Sequence, residues 1–362
     1  MSNAASFLAV QSYEAGFSPT DPAIGLNLAL TLDEQEWLDI DLKRHMADEL
    51  SHELMAGLPA LDRYLLDDPY ADAFLGDAIR SAFHLSHEAC AVLAGAGVDS
   101  LLHALAPLAR PNGALAVGRV YPDLPRWVAL AGLECRSVDL ADALSAPASL
   151  ILLERPAWDS RDISMAELAG LCETAATRNA FVLVDESYAN YAPQDFSAAP
   201  LVASNQNLIV LRGVSKAYWL GGLRVGACIA PRSAEPLLKN LIPPLLASSL
   251  SLALCRRVIE LGDITGRLRR RIQEARREAR EALANFGLPA PSSASEFLPA
   301  FAWHDAAAGV SEALAKHRIR SKKQPFWGPL NAVSFSCRMS IPLSYDRMSA
   351  LQRLIRAREE VL

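Results

Sequence analysis

Between Phe181 and Gly226 five side chains capable of chemistry follow one another: Asp185, Tyr188, Ser215, Lys216 and Arg224. A lysine can hold an aldehyde as a Schiff base, and a carboxylate can keep a heteroaromatic nitrogen protonated so that the ring accepts electrons. Lys216 and Asp185 fit those two needs. Asp185 closes the apolar run FVLV at 181–184, which reads as a buried strand, and a lone carboxylate at such a strand end needs a cation facing it. A protonated pyridine is one. Ser215 and Arg224 offer a hydroxyl and a guanidinium at a spacing suited to a phosphate, with Gly221 and Gly222 letting the backbone turn closely between Lys216 and Arg224. Tyr188 can hydrogen-bond a phenolic oxygen. Aldehyde, pyridine, phosphate and phenolic oxygen are the groups of pyridoxal phosphate, and the stretch reads as a site for it.

The segments DESY at 185–188 and SKAYWLGGLRVG at 215–226 resemble the class I/II aminotransferases of fold type I, and most of all their histidinol-phosphate aminotransferase branch. That pattern is D-E-x-Y, then S-K-x-x-x-L-x-G-L-R-x-G. A lone SK or DE would mean nothing, whereas five residue types in order carry weight. The resemblance gives Asp185 the pyridinium, Tyr188 the cofactor's phenolic oxygen, Lys216 the aldehyde, and Ser215 and Arg224 the phosphate. It covers most of residues 60–345.

Further positions follow from the same resemblance. The glycine-rich turn Gly97, Val98, Asp99, Ser100 stands where the family binds the phosphate, with free backbone N–H groups at a helix start. Tyr121, in VYPDLPRW, matches the aromatic residue that stacks on the pyridine ring. Arg338, in SFSCRMSIP, matches the arginine that pairs with the substrate α-carboxylate. Tyr64, in LDRYLLDDPY, matches a tyrosine that reaches across a dimer to the partner's cofactor phosphate, with Tyr70 as the fallback. Two departures stand out. The N-terminal arm lacks the family's N-E-N-P, and RPAWDSR at 155–161 replaces N-P-N-N-P-T-G, so that Trp158 falls nearest the asparagine that donates to the phenolic oxygen. Indole can donate one hydrogen bond but cannot make the amide's dual contacts. Asp159 reaches that place only with a changed loop.

The elements that must position these residues read as alternating strands and helices. Strands at 181–185, 207–212 and 225–230, together with GALAVGRVYP, LECRSVDL and SLILLERP, alternate with helical stretches, the pattern of a mostly parallel sheet covered on both faces. Ligands of such sheets bind beyond the carboxyl ends of strands, where Tyr121, Asp185 and Lys216 fall. A roughly helical pattern runs from Asp33 to Met55, another from about Asp77 to His87, and a long charged helix from Thr265 to Phe286, in which interleaved arginines and glutamates predict a solvated, self-paired face. The fold class is α/β: a fold type I transferase with helices on both faces of its central sheet, plus a smaller α+β domain. The expected division is an arm at 1–44, a large cofactor-binding domain at 45–250 and a small domain at 251–362.

Composition fits this class. The 362 residues suffice for a large core, and the formal charge of −6 argues against nucleic acid as a partner. Six cysteines without CxxC spacing read as buried thiols in a reducing compartment. With no basic-apolar leader and no apolar run fit to span a bilayer, a soluble, cytoplasmic protein without membrane partners is expected. His84, His87 and Cys90 lack a carboxylate or second motif and read as helix surface, not zinc ligands. RSKKQP at 320–325 reads as a solvated turn.

The resulting expectation is a pyridoxal-phosphate-dependent aminotransferase, a homodimer by the resemblance, exchanging an amino group between an amino acid and a 2-keto acid. The rival keeps the cofactor and changes the outcome: a cyclase or eliminase of the capreomycidine-synthase kind, or a decarboxylase. A degenerate binding or regulatory relative would have no need of Lys216, Asp185 and Arg224 together.

Overall fold

The structure, a computed structural model, describes residues 25–29, 31, 33–52, 67–159, 161–285, 287–292, 295–328 and 331–356. Its centre is a seven-stranded sheet in the order β2-β8-β7-β6-β5-β3-β4. The strands are β2 (Cys90–Gly95), β3 (Ala114–Val117), β4 (Cys135–Val138), β5 (Leu150–Glu154), β6 (Phe181–Asp185), β7 (Leu208–Gly213) and β8 (Gly226–Pro231). Pairing is parallel from β7 through β4, and only β8 runs antiparallel to its neighbours, β2 and β7. The near-continuous apolar runs of β2, β5, β6 and β7 follow from burial on both faces. One face packs on a core containing Val92, Ile151, Val182 and Val210; the other packs on Leu93, Leu152, Leu183 and Ile209.

Two smaller sheets accompany it. β1 (Leu26–Asn27) pairs in parallel with β10 (Ile319–Arg320). β9 (Ala300–Trp303), β11 (Lys322–Gly328) and β12 (Ala332–Ser340) form an antiparallel sheet with β12 central. A β-bridge ties this sheet to the exit of β3: Val120 N–H donates to Trp327 O at 3.0 Å, and Trp327 N–H returns to Val120 O at 2.8 Å, while Arg119 Nη1–H donates to Ser334 Oγ of β12 at 3.0 Å. The bridge holds the residues after β3 opposite β11 and sets the width of the space between the sheets.

Several expectations change in detail. The pattern from Asp33 is a 3₁₀ turn (Glu34–Trp37) followed by a helix over 42–52, and the helix expected from Asp77 spans Phe74–Phe83. The long helix, Gly266–Asn285, is not solvated along its whole arginine face. Arg271 is buried, donating to Leu343 O at 2.7 Å and Glu278 at 2.7 Å, and Arg276 is buried against Phe301 with Leu298 O as acceptor at 2.6 Å. Main-chain carbonyls of distant segments, Leu343 O for Arg271 and Leu298 O and Ala300 O for Arg276, accept from these guanidiniums, contacts that no helical spacing reveals. The segment expected as the turn RSKKQP runs from the end of β10 at Arg320 into the start of β11. All six cysteines are buried free thiols, Cys90 lying inside β2. No helix among the described residues is long and apolar enough to cross a membrane.

Candidate active site

The carboxyl ends of β5, β6 and β7 open into a cavity of about 300 Å³ whose far wall is β11 and β12. That volume lies at the small end of the roughly 300–1,000 Å³ usual for small-molecule sites. Val98, Asp99, Tyr121, Trp158, Asp185, Tyr188, Ser215, Lys216, Arg224 and Arg338 all line it. Gly97 and Ser100 stand just outside, and Tyr64 lies outside the described residues.

Lys216 sits in the turn that follows β7. Trp219 N–H donates to Lys216 O at 3.0 Å and Leu220 N–H to Val214 O at 3.3 Å, so the turn closes on itself and leaves the lysine side chain toward the cavity. Its Nζ lies 5.1 Å from the centre of the Tyr188 ring. An arm segment braces the turn from behind. The buried Glu34 carboxylate accepts Trp219 Nε1–H at 2.6 Å and the Tyr191 hydroxyl at 3.0 Å, and Tyr191 stacks on Tyr188 with ring centres 6.1 Å apart.

Asp185 ends β6 and accepts Ser187 N–H at 2.8 Å. Burial pushes its carboxyl up, against the lowering effects of the Ser187 hydrogen bonds and of Lys216. A flat cation facing this carboxylate would offset that cost. The adjacent Glu186 has a different task. Fully buried, it accepts Ser197 Oγ–H, Ala198 N–H and Arg212 Nη1–H, each at 2.6 Å, and so fixes the segment after Tyr188. For Tyr188 burial acts upward, but the cations of Lys216, Arg338 and Lys322 outweigh it and lower the phenol below its ordinary value.

At the other end of the cavity Arg224 adopts a left-handed backbone (φ 52°) and directs Nη2–H to Ala96 O at 3.2 Å. Gly97, with φ 87°, leaves the room for it: a Cβ there would lie 2.5 Å from Arg224 Nη2. Gly226 lets β8 pass the same turn, since its Cβ would meet Gly97 C at 2.6 Å. Ser100 is turned inward, its hydroxyl donating to Gly97 O at 2.9 Å. The start of the helix Val98–Leu105, Ser215 and Arg224 thus line the cavity together, while Ser100 bonds within its own turn.

Trp158 is buried, edge-on to Tyr188 at 5.2 Å, and the Arg338 guanidinium lies 5.1 Å from its ring centre. Arg338 also donates to Thr31 Oγ1 at 3.2 Å. Asp159 points away from that place, accepting Arg119 N–H at 3.0 Å. Tyr70 donates its hydroxyl to Lys239 O at 3.0 Å within the same chain.

Asp123 and Glu154, not singled out from the sequence, also line the cavity, as do Lys322, Gln324 and Phe326, the first two from the segment expected as a solvated turn. Lys322, Gln324 and Phe326 alternate along β11, as one face of a strand must. Glu154 closes the apolar run LILLE as Asp185 closes FVLVD, so the signal that singled out one applied to the other. Its carboxyl is held well above the usual range by burial and by Asp185. Asp123 is raised to about 7, chiefly by burial and by Asp99.

An amine, a phenol and a carboxylate around one end of a cavity, an anion cradle at the other and an arginine on the opposite wall suit a flat phosphorylated pyridine aldehyde with a carboxylate-bearing partner. Comparison with known proteins agrees. The family model described as aminotransferase class I and II matches residues 63–323. A threonine-phosphate decarboxylase from Sinorhizobium sp. is 28% identical over 236 residues, which are 64% of this chain and 69% of that protein. A histidinol-phosphate aminotransferase from Ruegeria sp. (strain TM1040) is 30% identical over 136 residues, 38% of this chain and only 37% of that protein. The fold matches the histidinol-phosphate aminotransferase from Clostridium acetobutylicum at a TM-score of 0.72 and 12% identity, over 93% of this chain and 100% of that one. With family model, fold and cavity in agreement, the chain belongs to the class I and II aminotransferases, enzymes that work with pyridoxal phosphate.

Proposed function

We propose that this enzyme transfers an amino group from an amino acid to a 2-keto acid. The observation that carries this reading is the meeting of Lys216, Asp185, Tyr188 and Arg338 in one cavity, with Arg224 and Ser215 at its far end. Ser215, Arg224 and the amides at the start of the helix Val98–Leu105 hold the cofactor phosphate, and Tyr121 covers the ring. When bound, pyridoxal phosphate supplies an electron sink for the charge left when a bond to the substrate α-carbon breaks.

The chain's own residues do the rest. Arg338 binds the α-carboxylate and fixes which bond is broken, with Trp158 packed on its guanidinium to keep water away. Lys216 Nζ would hold the cofactor aldehyde and, as a free amine, would move the substrate α-proton. Asp185 would hold a proton on the ring nitrogen. The Tyr188 hydroxyl would donate to the phenolic oxygen, a role that Trp158 leaves to it. We place the domain division at 1–44, 45–250 and 251–362, and assign the chain to a homodimer on the strength of the family.

A second reading, decarboxylation, is favoured by one finding: the decarboxylase relative aligns over 64% of this chain. The two differ in which bond Arg338 presents, so products separate them. The purified enzyme with pyridoxal phosphate is given a panel of amino acids that includes phosphorylated ones. Keto acid and pyridoxamine phosphate without carbon dioxide support transamination. Carbon dioxide with retained pyridoxal phosphate overturns it in favour of decarboxylation.

A further inference from the structure

A second carboxyl group stands beside Asp185. β5 and β6 are parallel with Glu154 in register with Asp185, and side chains at one register position of neighbouring strands project to the same face, roughly 4.8 Å apart. Both line the cavity. One oxygen of Glu154, Oε1, accepts Tyr121 N–H at 2.6 Å. The charges that act most on Glu154 are the acids Asp185 on β6, Asp159 in the loop after β5 and Asp123 on the helix Asp123–Leu130. Cations line the same cavity, Lys216 after β7, Lys322 on β11 and Arg338 on β12, with Lys216 acting on Asp185 and Arg126 on Asp123. Two carboxyls so placed cannot both ionise cheaply, and a proton shared between them is the lower-energy arrangement.

We propose that Glu154 is the positioning residue of Asp185: anchored by the Tyr121 amide, it keeps its acid proton and donates it to Asp185. The inference rests on Asp185 facing the ring nitrogen. Burial and the surrounding acids, which hold the Glu154 carboxyl well above the usual range, support the protonated form. The arrangement leaves one negative charge, on Asp185, where two acids could have put two. It also joins the ring-covering residue Tyr121 to the ring-nitrogen partner through one side chain, so the two move together.

The test is the equilibrium affinity of the apoenzyme for pyridoxal phosphate between pH 6.5 and 9.5, read by quenching of tryptophan fluorescence. It is made on the wild type, Glu154→Gln, Glu154→Ala and Asp185→Ala. Glutamine keeps an acceptor for Tyr121 and a donor for Asp185 but cannot lose a proton. Glu154→Gln is expected within about threefold of wild type at pH 7, and Glu154→Ala about tenfold weaker or worse. As pH rises far enough to remove the donor proton, the wild type should weaken relative to Glu154→Gln, which has no acid proton to lose. Glu154→Gln as weak as Glu154→Ala, or parallel pH profiles for wild type and Glu154→Gln, would overturn the proposal. A ¹³C carboxyl titration of the apoenzyme gives a readout without cofactor. The signal that Glu154→Gln removes should titrate above the ordinary glutamate range, and a signal titrating within that range would contradict the proposal. If Asp185→Ala leaves affinity and visible spectrum unchanged, the assignment of Asp185 itself fails, an outcome distinct from failure at Glu154.

Discussion

At the scale of single residues, the site concentrates acids at one end and bases around them. Lys216 is the amine that can both hold an aldehyde and carry a proton. Lys216→Ala should lower kcat by about 10³-fold or more, measured with the best donor found, and should leave the circular dichroism spectrum unchanged. Asp123 gives a pH signature. Its folded pKa is raised from 3.8 to about 7, so its contribution to stability is fully present below about 4 and is lost as pH rises through about 7. Asp123→Asn does not titrate. Its Tm relative to wild type should therefore increase by about 3–6 °C between pH 5 and pH 8.5, by differential scanning calorimetry of the apoenzyme; a constant difference across that range would refute the shift. That Lys216, Asp185, Ser215 and Arg224 share one cavity was legible because they follow one another in one stretch, at the end of β6, just after β7 and just before β8. Glu154 was equally legible in principle, since LILLE carries the same mark as FVLVD. The place of Ser100 was less legible, because a turn's hydroxyl can bond its own turn or face a ligand; in the structure it donates to Gly97 O and stands outside the cavity lining.

At the scale of elements, two small segments hold the reactive ones in place. The turn Glu34–Trp37 grips the Lys216 turn through Trp219 and Tyr191. Glu34→Ala strands two donors, one of them on the buried Tyr191, and should cost about 2–4 kcal/mol in urea denaturation. It should also reduce kcat, because the lysine turn loses its brace, whereas Glu34→Gln should recover much of both. The Gly97 turn acts on the phosphate end. Gly97→Ala places a Cβ against Arg224 at positive φ and should weaken pyridoxal phosphate binding by about tenfold or more, measured as equilibrium affinity; unchanged affinity would mean that Arg224 does not hold the phosphate. Most strands of the central sheet were readable from apolar runs of strand length; their order in the sheet was not, because it is set by tertiary pairing. The brace was not, because Glu34 and Trp219 are far apart in sequence and a lone glutamate in an acidic arm has no periodic signal. RSKKQP was misread for the opposite reason: its basic, proline-containing composition favours a turn, and the pairing with β12 that makes it a strand is tertiary.

At the scale of the whole molecule, chemistry requires two sheets held face to face. The large sheet presents Asp185 and Lys216, the antiparallel sheet presents Arg338, and the Val120–Trp327 bridge fixes the distance between them. The mostly parallel sheet with one antiparallel strand, β8, follows from helical connections between the parallel strands and the tight turn through Gly221 and Gly222 into β8. The reaction itself is less legible than the fold, because the bond that breaks is set by how Arg338 and Trp158 orient the substrate, and Trp158 lies where the chain departs most from the family pattern. The central claim is that Lys216 is the cofactor's anchor. Borohydride reduction of the protein with pyridoxal phosphate, followed by tryptic mapping, tests it most directly, because cleavage after Arg212 and Arg224 encloses Lys216 as the one lysine between them. The account predicts a pyridoxyl mass addition on that peptide, lost in Lys216→Ala. Label on Lys322 or Lys239 instead, or no label on a folded protein, would contradict it.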